Sequence, residues 1–131
     1  MMMSQEALHA LPATELLAAY ASRALSPVEV TQSVLAHIER WEPHLHALYA
    51  LDAEAALDQA RASEARWLRG EPLALDGLPL TLKENIASRG RPMPLGTAAT
   101  LLSPATEDAP PAARLREAGA VLLAKTTMPD Y

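Results

Sequence analysis

The chain has 131 residues, about half of them hydrophobic, which is enough to bury a core and argues against disorder. It has no cysteine, which excludes disulfides, thiolate metal sites and a cysteine nucleophile. Its net charge of −5 carries no basic cluster of the kind that binds a phosphate backbone.

Phe is absent and other aromatics are few, while Ala and Leu are abundant, so closely packed helices around a sheet with small side chains are expected. The start, Met1 to Glu6, lacks a basic n-region and a long apolar stretch, so it does not read as a signal peptide. No run approaches the roughly 18 to 20 apolar residues that span a bilayer. No membrane association and a cytoplasmic location are the corresponding expectations.

Thr14 to Leu25 reads as a first helix with Leu16, Leu17, Tyr20 and Leu25 on its apolar side. Ser26-Pro27-Val28-Glu29 is the clearest helix start. Ser26 suits the cap, Pro27 the first turn, and Glu29 the reciprocal capping-box position. The second helix runs to about Trp41, buries Val30, Val34, Ile38 and Trp41, and is expected to end at Pro43. A short extended piece follows at 46–51.

Asp52 to Arg69 reads as a third helix, capped by Asp52 and stopped by Gly70. Its narrow face of Ala56, Ala60, Ser63 and Trp67 allows close packing.

From residue 75 the pattern changes. Asp76-Gly77 reads as a turn and 78–83 as a buried strand, with Pro79 near its start or on a sheet edge. Residues 87–107, rich in Pro, Gly, Ser and Thr, read as a long functional loop. Asp108-Ala109-Pro110-Pro111 opens a helix that Gly119 ends, and 120–124 is a second short buried strand. Strand, crossover helix and strand predict a parallel pair. Lys83 and Lys125 then sit at carboxyl ends of strands, the side of an open α/β sheet where ligands bind. Two strands alone leave open edges, so further chain or a partner is expected to complete the sheet.

Lys83 is the first candidate for chemistry. A lysine that accepts a proton near neutral pH must be unprotonated, so its pKa must lie well below the free value of about 10.4. Half-burial at an apolar strand end would push it down. The other reading of the same residues is a solvated strand-end lysine paired with Glu84 or another carboxylate. Lys125 reads as a strand-end charge near the terminus. His44 and His46, with His37 nearby, read as surface histidines at a helix end, since no third ligand has metal-site spacing. The five glycines match no nucleotide-binding pattern, and there is no Gly-x-Ser-x-Gly elbow. Ser88 and Ser103 lie in the long loop and are read as possible pocket lining, not as nucleophiles.

Five pieces in order resemble the amidase signature family. Leu25-Ser26-Pro27-Val28-Glu29-Val30 is similar to its Ser-Pro-x-Glu-Val helix start. His46-Ala47-Leu48 and then Ala53 to Ala60 are similar to its Asn-Ala-Phe and Ala-x-x-x-Ala segments. The strongest match is Leu75-Asp76-Gly77-Leu78-Pro79-Leu80-Thr81-Leu82-Lys83-Glu84-Asn85-Ile86, which resembles Leu-x-Gly-(Ile/Val)-Pro-x-x-(Val/Ile)-Lys-Asp. The stretch from Asp108 through Ala118-Gly119-Ala120 to Lys125-Thr126-Thr127-Met128-Pro129-Asp130-Tyr131 completes the series. Glu84, Ala124 and Thr127 depart from the family's Asp, Gly and Asn.

The resemblance implies an α/β fold in which N-terminal helices precede the first strands of a mixed β-sheet covered by helices. It implies that 1–131 is the N-terminal portion of a single amidase domain, helical over 14–70 and entering the α/β core over 75–131. It also implies a Ser–cis-Ser–Lys mechanism of carboxamide cleavage with Lys83 as the catalytic lysine. Both serines are expected beyond Tyr131, so the 131-residue piece is expected to be truncated and inactive alone. No cofactor and no metal are expected, and the substrate-binding residues are left unassigned. The expected partner is a small-molecule amide, with homo-oligomerisation possible. Nucleic acid enters only if the protein is the glutaminase component of a glutamyl-tRNA(Gln) amidotransferase, its A subunit. A non-catalytic interaction module acting through an open strand edge is the remaining alternative.

Overall fold

Helix α1 (Ala13–Ser22) follows a 3-10 segment at Gln5–Ala10 that the sequence pattern did not announce. The chain is seen here as a computed structural model that describes residues 5–129. Helix α1 stops at Ser22, three residues short of the expected end, because Arg23 turns into the left-handed region at φ 64° and its N–H bonds the Tyr20 carbonyl. Leu16 and Tyr20 are its buried residues.

Helix α2 (Pro27–Leu45) starts as its sequence requires. Ser26 Oγ accepts from the Glu29 N–H at 3.1 Å, and Glu29 Oε2 accepts from the Ser26 N–H at 3.2 Å. These bonds satisfy donors that a helix start otherwise leaves open. Its end differs from the expectation. Pro43 lies inside the last turn and the helix continues to Leu45, where His46 closes it in a left-handed conformation. Proline there removes only the bond to the Glu39 carbonyl, on an exposed turn where water can replace it. Trp41 also departs from the expected buried stripe, at 43% exposed.

Strand β1 (Leu48–Tyr49) confirms the short extended piece. Helix α3 (Ala53–Leu68) is capped by Asp52, whose side chain accepts from the Ala55 N–H at 2.9 Å. Ala56, Ala60 and Ser63 are fully buried along its narrow face. Strand β2 (Pro79–Lys83) begins at Pro79, where the missing N–H costs no interior ladder bond. Helix α4 (Pro110–Glu117) starts after Ala109, so Asp108 does not cap it. Strand β3 (Val121–Thr126) runs two residues past its expected end and takes in Lys125.

The three strands form a mixed sheet in the order β1-β3-β2. Strand β3 is central, antiparallel to β1 and parallel to β2. The parallel register pairs Leu82 with Lys125 and Lys83 with Thr126, after a shift between Leu80 and Thr81. Val121, Leu123 and Ala124 pack with Ala56 and Ala60 of α3, joined by Leu35 and Ile38 of α2. Leu122 and Leu82 pack instead with Ala112 and Leu115 of α4. The sheet is thus covered on both faces, the layering expected of an α/β unit. A third cluster of Leu8, Leu16, Tyr20, Val30 and Leu78 ties the N-terminal helices to the entrance of β2.

The turn before β2 is a structural hub. The buried Asp76 carboxylate accepts from Arg66 Nε at 2.7 Å, Arg66 Nη2 at 2.6 Å and the Leu73 N–H at 2.9 Å. The Gly77 carbonyl accepts from Tyr20 Oη at 2.9 Å, and the Gly77 N–H donates to the Gly119 carbonyl at 3.0 Å. Gly119 has φ +88°, and a Cβ there would lie 2.7 Å from Asp76 Oδ1. Gly119→Ala therefore combines a strained backbone with a clash against an anchored carboxylate. It is expected to cost about 2–3 kcal/mol in chemical denaturation.

Candidate functional site

The carboxyl ends of β2 and β3 lie side by side, so Lys83 and Lys125 come to one end of the sheet, as the strand order required. Their environments are the reverse of the expectation. Lys83 is exposed, and its ammonium makes no hydrogen bond or ion pair with the described residues. Lys125 has no exposed surface at all. Alternation along the pleat explains this, because Leu82 turns into the α4 cluster and Lys83 must face the other way. Lys125 pairs with Leu82 across the ladder and points into the loop beyond β2.

Lys125 Nζ donates to the Glu84 carbonyl at 3.0 Å and to the Ile86 carbonyl at 2.6 Å. It also lies 5.9 Å from the centre of the Tyr49 ring. Burial holds the Lys125 ammonium below the ordinary lysine value, as does the like charge of Arg91, while Glu84 works in the opposite direction. Glu84 is itself buried, and its carboxylate accepts from the Gly96 N–H, which fixes the long loop to the strand end. The longer acid in place of Asp therefore has a visible role in this chain.

Tyr49 Oη donates to the Pro92 carbonyl at 3.0 Å. Burial, followed by the Glu84 charge, pushes the Tyr49 phenol up to about 12, so it keeps the proton this bond needs. Arg91 Nη2 reaches the Leu122 carbonyl at 3.2 Å. The loop is thus fastened at residues 92 and 96 to this end of the sheet, and by the Arg91 side chain to the central strand nearer its start.

Ser88 is buried, and its hydroxyl accepts from Arg116 Nη2 at 2.9 Å. Arg116 also pairs with Asp108 at 2.9 Å, and Asp108 accepts from the Arg89 N–H at 2.7 Å. These contacts give Ser88 and Asp108 a part in anchoring the loop. Ser103 is exposed. His44 and His46 lie on the surface at the end of α2, and His37 stacks on His9 with ring centres 3.7 Å apart. Among the described residues no three His, Cys, Asp or Glu side chains are grouped to hold a metal ion. No helix among them is long and apolar enough to cross a membrane.

Lys125 and Asp76 were the residues that sequence reasoning undervalued. The available signal for Lys125 was its place directly after four apolar residues, where a lysine with no partner would be costly.

The profile of the Amidase family matches residues 29–131, and the chain belongs to that family. It is 39% identical over 120 residues to the A subunit of the glutamyl-tRNA(Gln) amidotransferase of Acidothermus cellulolyticus, covering 91% of this chain and 24% of that protein. Among solved structures, a chain from a vestigial protein complex linked to the origins of an s-triazine catabolic enzyme superposes with a TM-score of 0.86. That chain is 31% identical, with 92% of this chain and 27% of that one covered. The native peptide amidase of Stenotrophomonas maltophilia gives a TM-score of 0.82 at 30% identity, with 90% and 25% covered. The chain spans about a quarter of the length of the relatives it matches.

Proposed function

We propose that this chain is the base-bearing N-terminal segment of an amidase domain, and that the complete protein hydrolyses carboxamides by acyl transfer to serine. Lys83 is the catalytic lysine, and the bridging and nucleophilic serines belong to sequence beyond Tyr131. Lys83 takes the proton of the bridging serine, which takes that of the nucleophile. The nucleophile's oxygen then bonds to the carbonyl carbon. The C–N bond breaks as the proton returns through the bridging serine to the departing nitrogen. Water, activated by the same relay, cleaves the resulting ester and regenerates the serine.

The observation that carries this reading is the setting of Lys83. It stands at the carboxyl end of β2 beside β3, on a fixed backbone, at the sheet end where ligands of open α/β sheets bind, and the burial that a base requires is assigned to the rest of the domain. A second reading has its own support. The sequence relative named above is a component of an amidotransferase, so the same chemistry would release ammonia from glutamine for a partner protein.

A fluorophosphonate probe, which captures activated serines, tests the proposal. The complete protein is expected to be labelled on a serine outside residues 1–131, and the 131-residue chain alone to remain unlabelled. Labelling of the isolated chain would overturn the assignment. Co-purification with further subunits and tRNA would select the amidotransferase reading over the free-standing amidase.

A further inference from the structure

We infer that Lys125 is a positioning residue for the Lys83 base, acting by clamping the peptide units that follow it. This rests on the proposed role of Lys83. Five contacts lock the strand end. The Glu84 N–H bonds the Thr126 carbonyl at 2.9 Å, and the Ile86 N–H bonds the Lys83 carbonyl at 3.0 Å. Lys125 Nζ then takes the Glu84 and Ile86 carbonyls together. On the outer side the Glu84 carboxylate holds the Gly96 N–H. The backbone from Lys83 to Ile86 is left with little freedom, while the Lys83 side chain remains free to reach a substrate.

Satisfying two loop carbonyls does not by itself require a buried cation. Removing an ammonium from water costs several kcal/mol, and an apolar side chain of similar volume is often neutral or stabilising at such sites. The cation does supply donors from the central strand to both sides of one turn. That fixes the turn immediately after the base. Displacement of a catalytic group by about 1 Å lowers rates by about 10²-fold, so this fixation bears directly on turnover. A side chain retained only for packing would have no such consequence.

The test measures fluorophosphonate labelling rates of the complete protein across pH, per folded molecule, well below each variant's Tm. Lys125→Met removes the clamp and keeps the volume. Its plateau rate is expected to fall about 30- to 100-fold, with the midpoint of the pH profile unmoved. Lys125→Arg keeps a cationic double donor and is expected to recover most of the rate. Lys125→Gln, neutral and too short to reach both carbonyls, is expected to behave like Lys125→Met and decides the matter if that variant does not fold. Wild-type labelling rates in folded Lys125→Met or Lys125→Gln would overturn the positioning role. Lys83→Ala is the separate control. If it is labelled at the wild-type rate, the base assignment itself fails, whatever the Lys125 variants do.

Discussion

Lys83→Ala in the complete protein is expected to lower kcat/KM for carboxamide hydrolysis by at least about 10³-fold while leaving stability within about 0.5 kcal/mol of wild type. The two halves of this expectation have separate causes. On the proposed mechanism the catalytic loss follows from removing the group that starts the proton relay, since a serine nucleophile is weak without a base. The unchanged stability follows from the structure. In residues 1–131 the side chain is exposed and makes no bond with the described residues that folding would lose. Steady-state kinetics and thermal denaturation of the same preparation check both halves. A loss of activity accompanied by a large fall in Tm would assign Lys83 a structural role.

Asp76→Ala is expected to do the opposite, destabilising the fold by about 3 kcal/mol, or roughly 12 °C in Tm. The carboxylate is fully buried and receives two bonds from Arg66 and one from the Leu73 N–H. Its loss leaves a guanidinium, 26% exposed, without its counter-charge. Burial alone would raise the Asp76 carboxyl, but the Arg66 and Leu73 bonds outweigh it and hold the group below its ordinary value. The stabilisation it contributes is therefore fully present above the unfolded-chain value of about 3.9 and is lost as pH falls through the lower folded value. Denaturation of wild type and Asp76→Asn at several pH values checks this. The gap between them is expected to be constant near neutrality and to close in acid. A gap that does not depend on pH would show that packing, not charge, makes Asp76 important.

Lys83 and Asp76 lie in one short stretch, and it illustrates what the sequence could convey. The Ser26 capping box, the Asp52 cap and the narrow alanine face of α3 are local patterns, and each appears where the sequence placed it. The parallel β2–β3 pair was legible because a strand, a helix and a strand at short spacing permit few other arrangements. Burial of individual lysines was not legible. Whether Lys83 or Lys125 faces inward depends on the pleat phase, and the register shift beside Leu80 is invisible in the sequence. Asp76 looked like a turn residue because Asp-Gly is a turn signal. Its partner Arg66 lies on α3, where only the tertiary fold brings it close. The continuation of α2 past Pro43 came from an exposed last turn, which a rule about proline position does not capture. The 3-10 segment at Gln5–Ala10 has no periodic apolar signal of its own, and its burial of Leu8 comes from packing on α1 and α2.

Intact-mass spectrometry of the complete protein, quenched during turnover of a carboxamide, tests the central claim most directly. Wild type is expected to carry the mass of the acyl group on a serine, and Lys83→Ala to carry none while remaining folded. An acyl adduct that forms at the wild-type rate in Lys83→Ala would contradict the account.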